Sequence, residues 1–258
     1  MYRFLLSPRW LLFHLLVIMA MAGMIWAGMW QLRRLDQREA FNAAVEARID
    51  EPAVPIDDLL DGVGLADDAT LDDLEWRPVT VTGVYLADET ITVVNKSQGG
   101  VAGTFAVTPL AIDDSRLVLI ERGFSALGVT QAAGSTPPPD GVVDVVGRLR
   151  PTQQRRTGGL SDPAEGDLTE AQRIDIARLS PQLDGDVAPM YVELTSSTPA
   201  EADTLAPIAA PELSEGPHLS YAIQWFIFTV CVAVGWVLAV RRSVATRRRD
   251  ARSAPAPG

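Results

Sequence analysis

Trp10–Trp30, WLLFHLLVIMAMAGMIWAGMW, is a run of 21 residues with no formal charge beyond whatever His14 carries. As an α-helix rising 1.5 Å per residue it reaches roughly 30 Å, the thickness of a bilayer's hydrocarbon core. Tyr221–Val240, YAIQWFIFTVCVAVGWVLAV, is a second uncharged run, of 20 residues. Amphipathic rings favour the depth of the lipid headgroups, and Trp10, Trp30, Tyr221, Trp225 and Trp236 stand near the ends of the two runs. Two transmembrane helices, 10–30 and 221–240, are therefore expected. Ala20-Met21-Ala22 has the small-x-small form of a leader cleavage site. The apolar run continues past it to Trp30, so the first segment is expected to stay as a span.

Arginine placement sets the direction of crossing. Arg241, Arg242, Arg247, Arg248, Arg249 and Arg252 follow the second run against one acid, Asp250, whereas Pro199–Ser220 before it contains no Lys or Arg. Positive flanks stay in the cytoplasm, so 241–258 reads as a cytoplasmic Arg-rich tail. Two crossings return residues 1–9, with Arg3 and Arg9, to the same side. Arg33, Arg34 and Arg38 follow the first run on the outer side, so the second run, with the larger asymmetry, decides. Residues 31–220 hold 14 Lys and Arg against 32 Asp and Glu, one acidic extracytoplasmic domain large enough for a core of its own. Lys96 is the only lysine beside 21 arginines, a mark of GC-rich bacterial coding, and the location read from this is a bacterial plasma membrane. The lipid bilayer is the first partner, the tail arginines lying on anionic headgroups at ~1 kcal/mol each before screening. A net charge of −11 is unsuited to nucleic acid.

In the outer domain, 31–49 keeps Leu32, Leu35, Phe41, Val45 and Ile49 at roughly helical spacing, a helical extension of the first span that Glu51-Pro52 ends. Seven aspartates between Ile56 and Asp73 lack the spacing of a calcium loop and read as solvated surface. From Arg77 the period becomes two: Val79, Val81 and Gly83 alternate with Thr80, Thr82 and Val84 before Tyr85. Residues 91–95, 104–112, 116–124, 141–149 and 190–194 read the same way, separated by clusters such as Gln98-Gly99-Gly100 and Pro137-Pro138-Pro139-Asp140-Gly141. The expected fold is two transmembrane α-helices flanking an extracytoplasmic α+β domain dominated by antiparallel β-strands, a small barrel or curled sheet, with its β-rich core over 77–194. Leu168–Leu179 reads as a helix capped by Asp167. Thr152–Gly166 reads as mobile, and 196–217 as a Pro/Ala/acid linker to the second span.

Chemistry-bearing patterns are scarce. A single cysteine, Cys231, excludes an internal disulfide framework and Cys-rich metal sites, and His14 and His218 are the only histidines. G-x-S-x-G, H-E-x-x-H, G-x-x-x-x-G-K-[ST] and G-x-G-x-x-G are all missing. No catalytic residue is assigned, and a non-enzymatic role with a membrane partner is expected. One convergence stands out: Gly28–Arg34 at the outer end of the first helix and His218–Phe226 at the outer end of the second reach the same membrane face. A helix starting near His218 would place His218, Tyr221, Ala222 and Trp225 on one side. Gly23 and Ala27 on one span, and Cys231, Gly235 and Ala239 on the other, are the small residues expected to let the helices approach.

Several short stretches carry a likeness. Gly28-Met29-Trp30-Gln31-Leu32-Arg33-Arg34, Arg77-Pro78-Val79 with Gly83 and Tyr85, Val94-Asn95-Lys96, Thr108-Pro109-Leu110, Leu119–Phe124 and His218–Phe226 occur in this order. Together they resemble the surfeit locus protein 1 family, the cytochrome c oxidase assembly factors, over residues 28–226. Lys96 and Phe124 stand where the family often has Arg and Trp.

The resemblance implies a factor that helps to mature oxidase subunit I among other respiratory-chain membrane subunits, assisting insertion or stabilisation of haem a. His218 is then the candidate haem iron ligand, since haem iron accepts an imidazole. Trp30, Tyr221 and Trp225 would wall the macrocycle, and Arg33 and Arg34 would pair with its propionates. The residues leave plainer readings open: His218 as a helix cap, the arginines on phosphate headgroups, the aromatic rings as interfacial anchors. A permanent accessory subunit of the oxidase or of a respiratory supercomplex, without haem, is the alternative function.

Overall fold

The structure, a computed structural model, describes residues 3–64, 68–128, 132–155 and 157–253. Asp67 of the acidic stretch, Arg156, the side chain of Arg252 and residues 254–258 of the tail lie outside what is described. Along the chain run α1 (Pro8–Glu46), β1 (Val54–Pro55), α2 (Asp57–Leu60), α3 (Asp68–Leu74), β2 (Pro78–Tyr85), β3 (Ile91–Gln98), β4 (Val101–Ala111) and β5 (Arg116–Ala126). They are followed by β6 (Val142–Pro151), β7 (Glu170–Ala171), α4 (Ile176–Leu179), β8 (Asp186–Val187), β9 (Met190–Thr198) and α5 (His218–Ser253). Two compact units result: Met1–Ala44 with Leu213–Gly258, and Val45–Glu212.

The helical unit is built from α1 and α5, of 39 and 36 residues. Pro8 opens α1 at the position where a missing N–H costs nothing. No helix breaker separates the apolar run from the charged turns that follow it, so the helix continues through both.

The second unit is a nine-stranded sheet in the order β1-β2-β6-β9-β5-β4-β3-β7, with β8 on β5. β2 also pairs with β4 through Val84↔Ala111 and Tyr85↔Leu110. The strands β2, β6, β9, β5 and β4 thus form a closed circuit of neighbours, the curled, mainly antiparallel sheet that the alternation leads one to expect. β5 sits between two cores. Val118 and Ile120 join Val79, Val81, Leu149, Met190 and Val192 on one face; Leu117 and Leu119 join Ile91, Val107, Ile176 and Leu179 on the other. Alternate residues of a strand point to opposite faces, so a strand covered on both sides reads as a continuous apolar run. At Gly147 a Cβ would collide with the Val192 side chain and the Glu193 carbonyl, and only glycine lets β6 and β9 approach there.

β9 pairs with β5 in parallel, Ile120↔Val192 and Glu121↔Glu193, a long-range crossover with no local signal. Two local expectations are corrected. Residues 168–179 are not one helix: Glu170–Ala171 pairs with Thr92 and Val93, and only Ile176–Leu179 is helical, capped by Asp175, whose side chain accepts from Arg178 N. Backbone pairing with β3 outcompetes the weak helical propensity of this stretch. The segment read as a linker is a strap on the sheet. Phe124 and Ala206 exchange both backbone hydrogen bonds, Gln98 holds Pro207 O and Ala209 N, and Arg122 holds Glu201.

Candidate functional site at the helix pair

α1 and α5 meet along His218, Ala222 and Phe226, which recur every four residues on one face of α5. Ala222 is fully buried. At Gly28 a Cβ would stand 2.8 and 2.9 Å from two carbons of the Phe226 ring, so Gly28 is the point of close approach. Gly23 and Gly235, expected in that role, have nothing within 4 Å of an added Cβ. Two polar contacts bracket the apolar stretch, roughly 26 Å of helix apart. His218 Nδ1 lies 2.8 Å from Gln31 Oε1, and Trp236 Nε1 donates to His14 Nδ1 at 2.9 Å.

These contacts give the two imidazoles opposite tautomers. An indole N–H only donates, so His14 Nδ1 is the acceptor and its proton sits on Nε2. With the Gln31 amide oxygen as acceptor, His218 carries its proton on Nδ1 and keeps the Nε2 lone pair, the electron pair a metal takes. His218 therefore leaves Nε2 unprotonated, whereas the unprotonated Nδ1 of His14 is already engaged by the indole.

The other candidate residues are placed as follows. Trp30 is exposed, with the Arg34 guanidinium 6.0 Å over its ring. Arg34 also donates to Gln37 Oε1 at 3.1 Å, and Arg33 is exposed. Tyr221 is exposed on α5, while Trp225 is half-buried and meets the Phe228 ring edge-on at 6.1 Å. α5 starts at His218, so His218, Tyr221, Ala222 and Trp225 fall on one side of it as expected; Ala222 is buried, His218 and Trp225 are half-buried, and Tyr221 is exposed at the edge of that side. Gln31 is the partner that sequence reading left without a role. An amide one residue past an interfacial tryptophan, at the end of an apolar span, was the signal for it.

The sheet unit holds two sets of buried charges. Arg122, wholly buried, donates to Glu201, Thr108 Oγ1 and the carbonyls of Thr136 and Pro137, and lies 5.4 Å from the Tyr85 ring centre. Burial and the Glu201 carboxylate push the Tyr85 hydroxyl well above its usual range. On the opposite face Glu121 is buried. Burial, then Glu193, raises its carboxyl to about 7, against the pull of Lys96 and Arg150. Gln153 links this set, accepting from Lys96 Nζ at 3.1 Å and donating to Tyr191 OH at 2.9 Å. Arg148 pairs with Glu193 at 2.7 Å. Among the described residues no three His, Cys, Asp or Glu side chains are grouped to hold a metal ion.

Both helices are long and apolar enough to cross a membrane. With the curled sheet between them in the chain, they define a two-span membrane protein. The chain belongs to the SURF1 family, whose model matches residues 18–230. It is 28% identical to an uncharacterised SURF1-like protein of Mycobacterium bovis over 261 residues, 98% of this chain and 92% of the relative. A SURF1-like protein of Rickettsia felis is 23% identical, covering 90% of this chain and 97% of the relative. The cytochrome oxidase assembly protein SHY1 of Saccharomyces cerevisiae is 34% identical over 98 residues, 38% of this chain and 24% of that protein.

Proposed function

We propose that this protein is a cytochrome oxidase assembly factor that assists the insertion of haem a into oxidase subunit I, or stabilises that subunit, at the outer face of a bacterial plasma membrane. The protein acts by binding, without catalysis of its own. Family membership and the assembly role in the yeast relative's name support the first part of this reading. The contact that supports the haem part is Gln31 Oε1 with His218 Nδ1, 2.8 Å apart, which leaves Nε2 as a donor. A single imidazole, with no group of three His, Cys, Asp or Glu placed to hold a metal among the described residues, suits a metal that brings most of its ligands with its macrocycle. Haem a is cargo in this reading. His218 would hold the iron through Nε2, Arg33 and Arg34 would pair with the propionates as guanidinium–carboxylate pairs, and Trp30, Tyr221 and Trp225 would supply apolar wall. The arginine asymmetry of 241–258 against 199–220 supports the orientation, with both termini in the cytoplasm.

Purification from native membranes tests the proposal. The expected result is oxidase subunit I among the associated chains, this protein substoichiometric in mature oxidase, and a haem a spectrum that His218→Ala abolishes. An equimolar presence in mature oxidase would mark a permanent subunit. Haem content unchanged by His218→Ala would remove the ligand.

A further inference from the structure

We propose that Gln31 is the positioning residue of this site, holding His218 in the Nδ1-protonated tautomer and thereby assigning Nε2 as the donor atom; this rests on the haem reading above. A neutral imidazole can carry its proton on either nitrogen, and what the other nitrogen bonds to decides which. At His218 that partner comes from the other helix: Gln31 is on α1, 187 positions away in the chain, and its amide oxygen lies 2.8 Å from Nδ1.

The same physics, with the opposite sign, acts at His14. There the partner is a pure donor, Trp236 Nε1 at 2.9 Å, so the proton is driven to Nε2 and Nδ1 is engaged. The helix pair therefore separates its two histidines by the hydrogen-bonding character of one partner each. An amide oxygen makes a ligand; an indole N–H makes a packing residue. The contact also fixes the ring's orientation, because His218 opens α5 and its side chain is only half-buried. Without Gln31 the imidazole is free to rotate, and binding must then pay for ordering it. Groups that hydrogen-bond the far nitrogen of a ligating histidine are worth on the order of 10- to 100-fold in affinity.

The test uses the full chain in lipid nanodiscs, with 15N-labelled histidine and with haem a as the titrated probe. Before haem is added, the wild type is expected to show the His218 proton on Nδ1 and the His14 proton on Nε2, assigned with His14→Gln. Gln31→Leu is expected to move the His218 proton toward Nε2 and to weaken haem binding by about 10- to 100-fold. Gln31→Glu keeps an acceptor at Nδ1 and is expected to retain both the tautomer and the binding. A His218 proton found on Nε2 in the wild type overturns the proposal, whether or not Gln31→Leu folds. Wild-type haem affinity in Gln31→Leu, with binding lost in His218→Ala, overturns the positioning role and leaves the ligand reading intact. Wild-type affinity in His218→Ala overturns the ligand reading itself.

Discussion

Arg122 and Glu201 form an ion pair at 2.6 Å in which the guanidinium is wholly sealed from solvent and the carboxylate nearly so. The pair ties the strap 199–209 to β5. Removing one partner of a buried pair leaves the other charge without compensation and costs about 3–5 kcal/mol. Arg122→Met also orphans the Thr136 and Pro137 carbonyls that the guanidinium satisfies. It is expected to destabilise the sheet unit by that amount and to expose 199–209 to protease. Thermal unfolding in detergent and limited proteolysis check this. A wild-type cleavage pattern in Arg122→Met would show that the strap is held by its backbone pairing alone.

Glu121 makes stability depend on pH. Its carboxyl is raised from 4.5 to about 7 in the folded chain, so the folded state binds more protons than the unfolded state between those values. The stability that this one carboxyl contributes is fully present below about pH 4.5 and is lost as pH rises through about 7, at a cost of about 3 kcal/mol. Glu193, also raised by burial, contributes in the same direction. Glu121→Gln is neutral at every pH and is expected to flatten the fall in unfolding temperature between about pH 5 and pH 8. Parallel slopes for variant and wild type would assign the effect elsewhere.

Glu121 also shows what the sequence could and could not reveal. The alternation of Val79, Val81 and Tyr85 is a local signal, and a strand with one covered face follows from it; that β5 is covered on both faces does not follow from the same period-two reading of 116–124. The parallel β5–β9 pairing, which sets Glu121 beside Glu193, joins segments about 70 residues apart and leaves no local trace. The two spans were legible because lipid demands a length and an apolar composition. The contact surface between them was not, because every position of such a run is apolar and only the packing distinguishes Gly28 from Gly23. His218 was legible as a lone imidazole at a membrane face. Its tautomer depends on Gln31 and appears only in three dimensions.

Trp236 and His14 provide a measurable interhelical contact. Hydrogen bonds between membrane helices average about 0.6 kcal/mol and reach about 1.7. A double-mutant cycle with Trp236→Phe and His14→Ala is expected to give a coupling energy in that range. The Trp236 ring stands edge-on to the imidazole at 5.7 Å and 89°, and phenylalanine keeps an aromatic ring there, so the cycle reports mainly the lost N–H. A coupling energy of zero would mean that the ring contact alone joins the helices there.

Gly28 links the packing of the helix pair to the state of His218. An added Cβ would stand 2.8 Å from the Phe226 ring, well inside contact distance, so either the ring turns or the helices part. Overpacking of this kind costs about 1–3 kcal/mol. Gly28→Ala is therefore expected to lower thermal stability in detergent, and Phe226→Ala to restore part of it, because neighbouring sites are not additive. Gly23→Ala is the control, with open space around its Cβ and a gain in helix propensity of up to about 1 kcal/mol. Gln31 lies three residues from Gly28, on the next turn, so parting the helices also draws its amide away from His218. Gly28→Ala should accordingly shift the His218 15N signals toward the Nε2-protonated form, while Gly23→Ala leaves them in place. If Gly28→Ala lowers stability without moving those signals, the ring of Phe226 has absorbed the clash and the contact between Gln31 and His218 is set independently of the helix crossing.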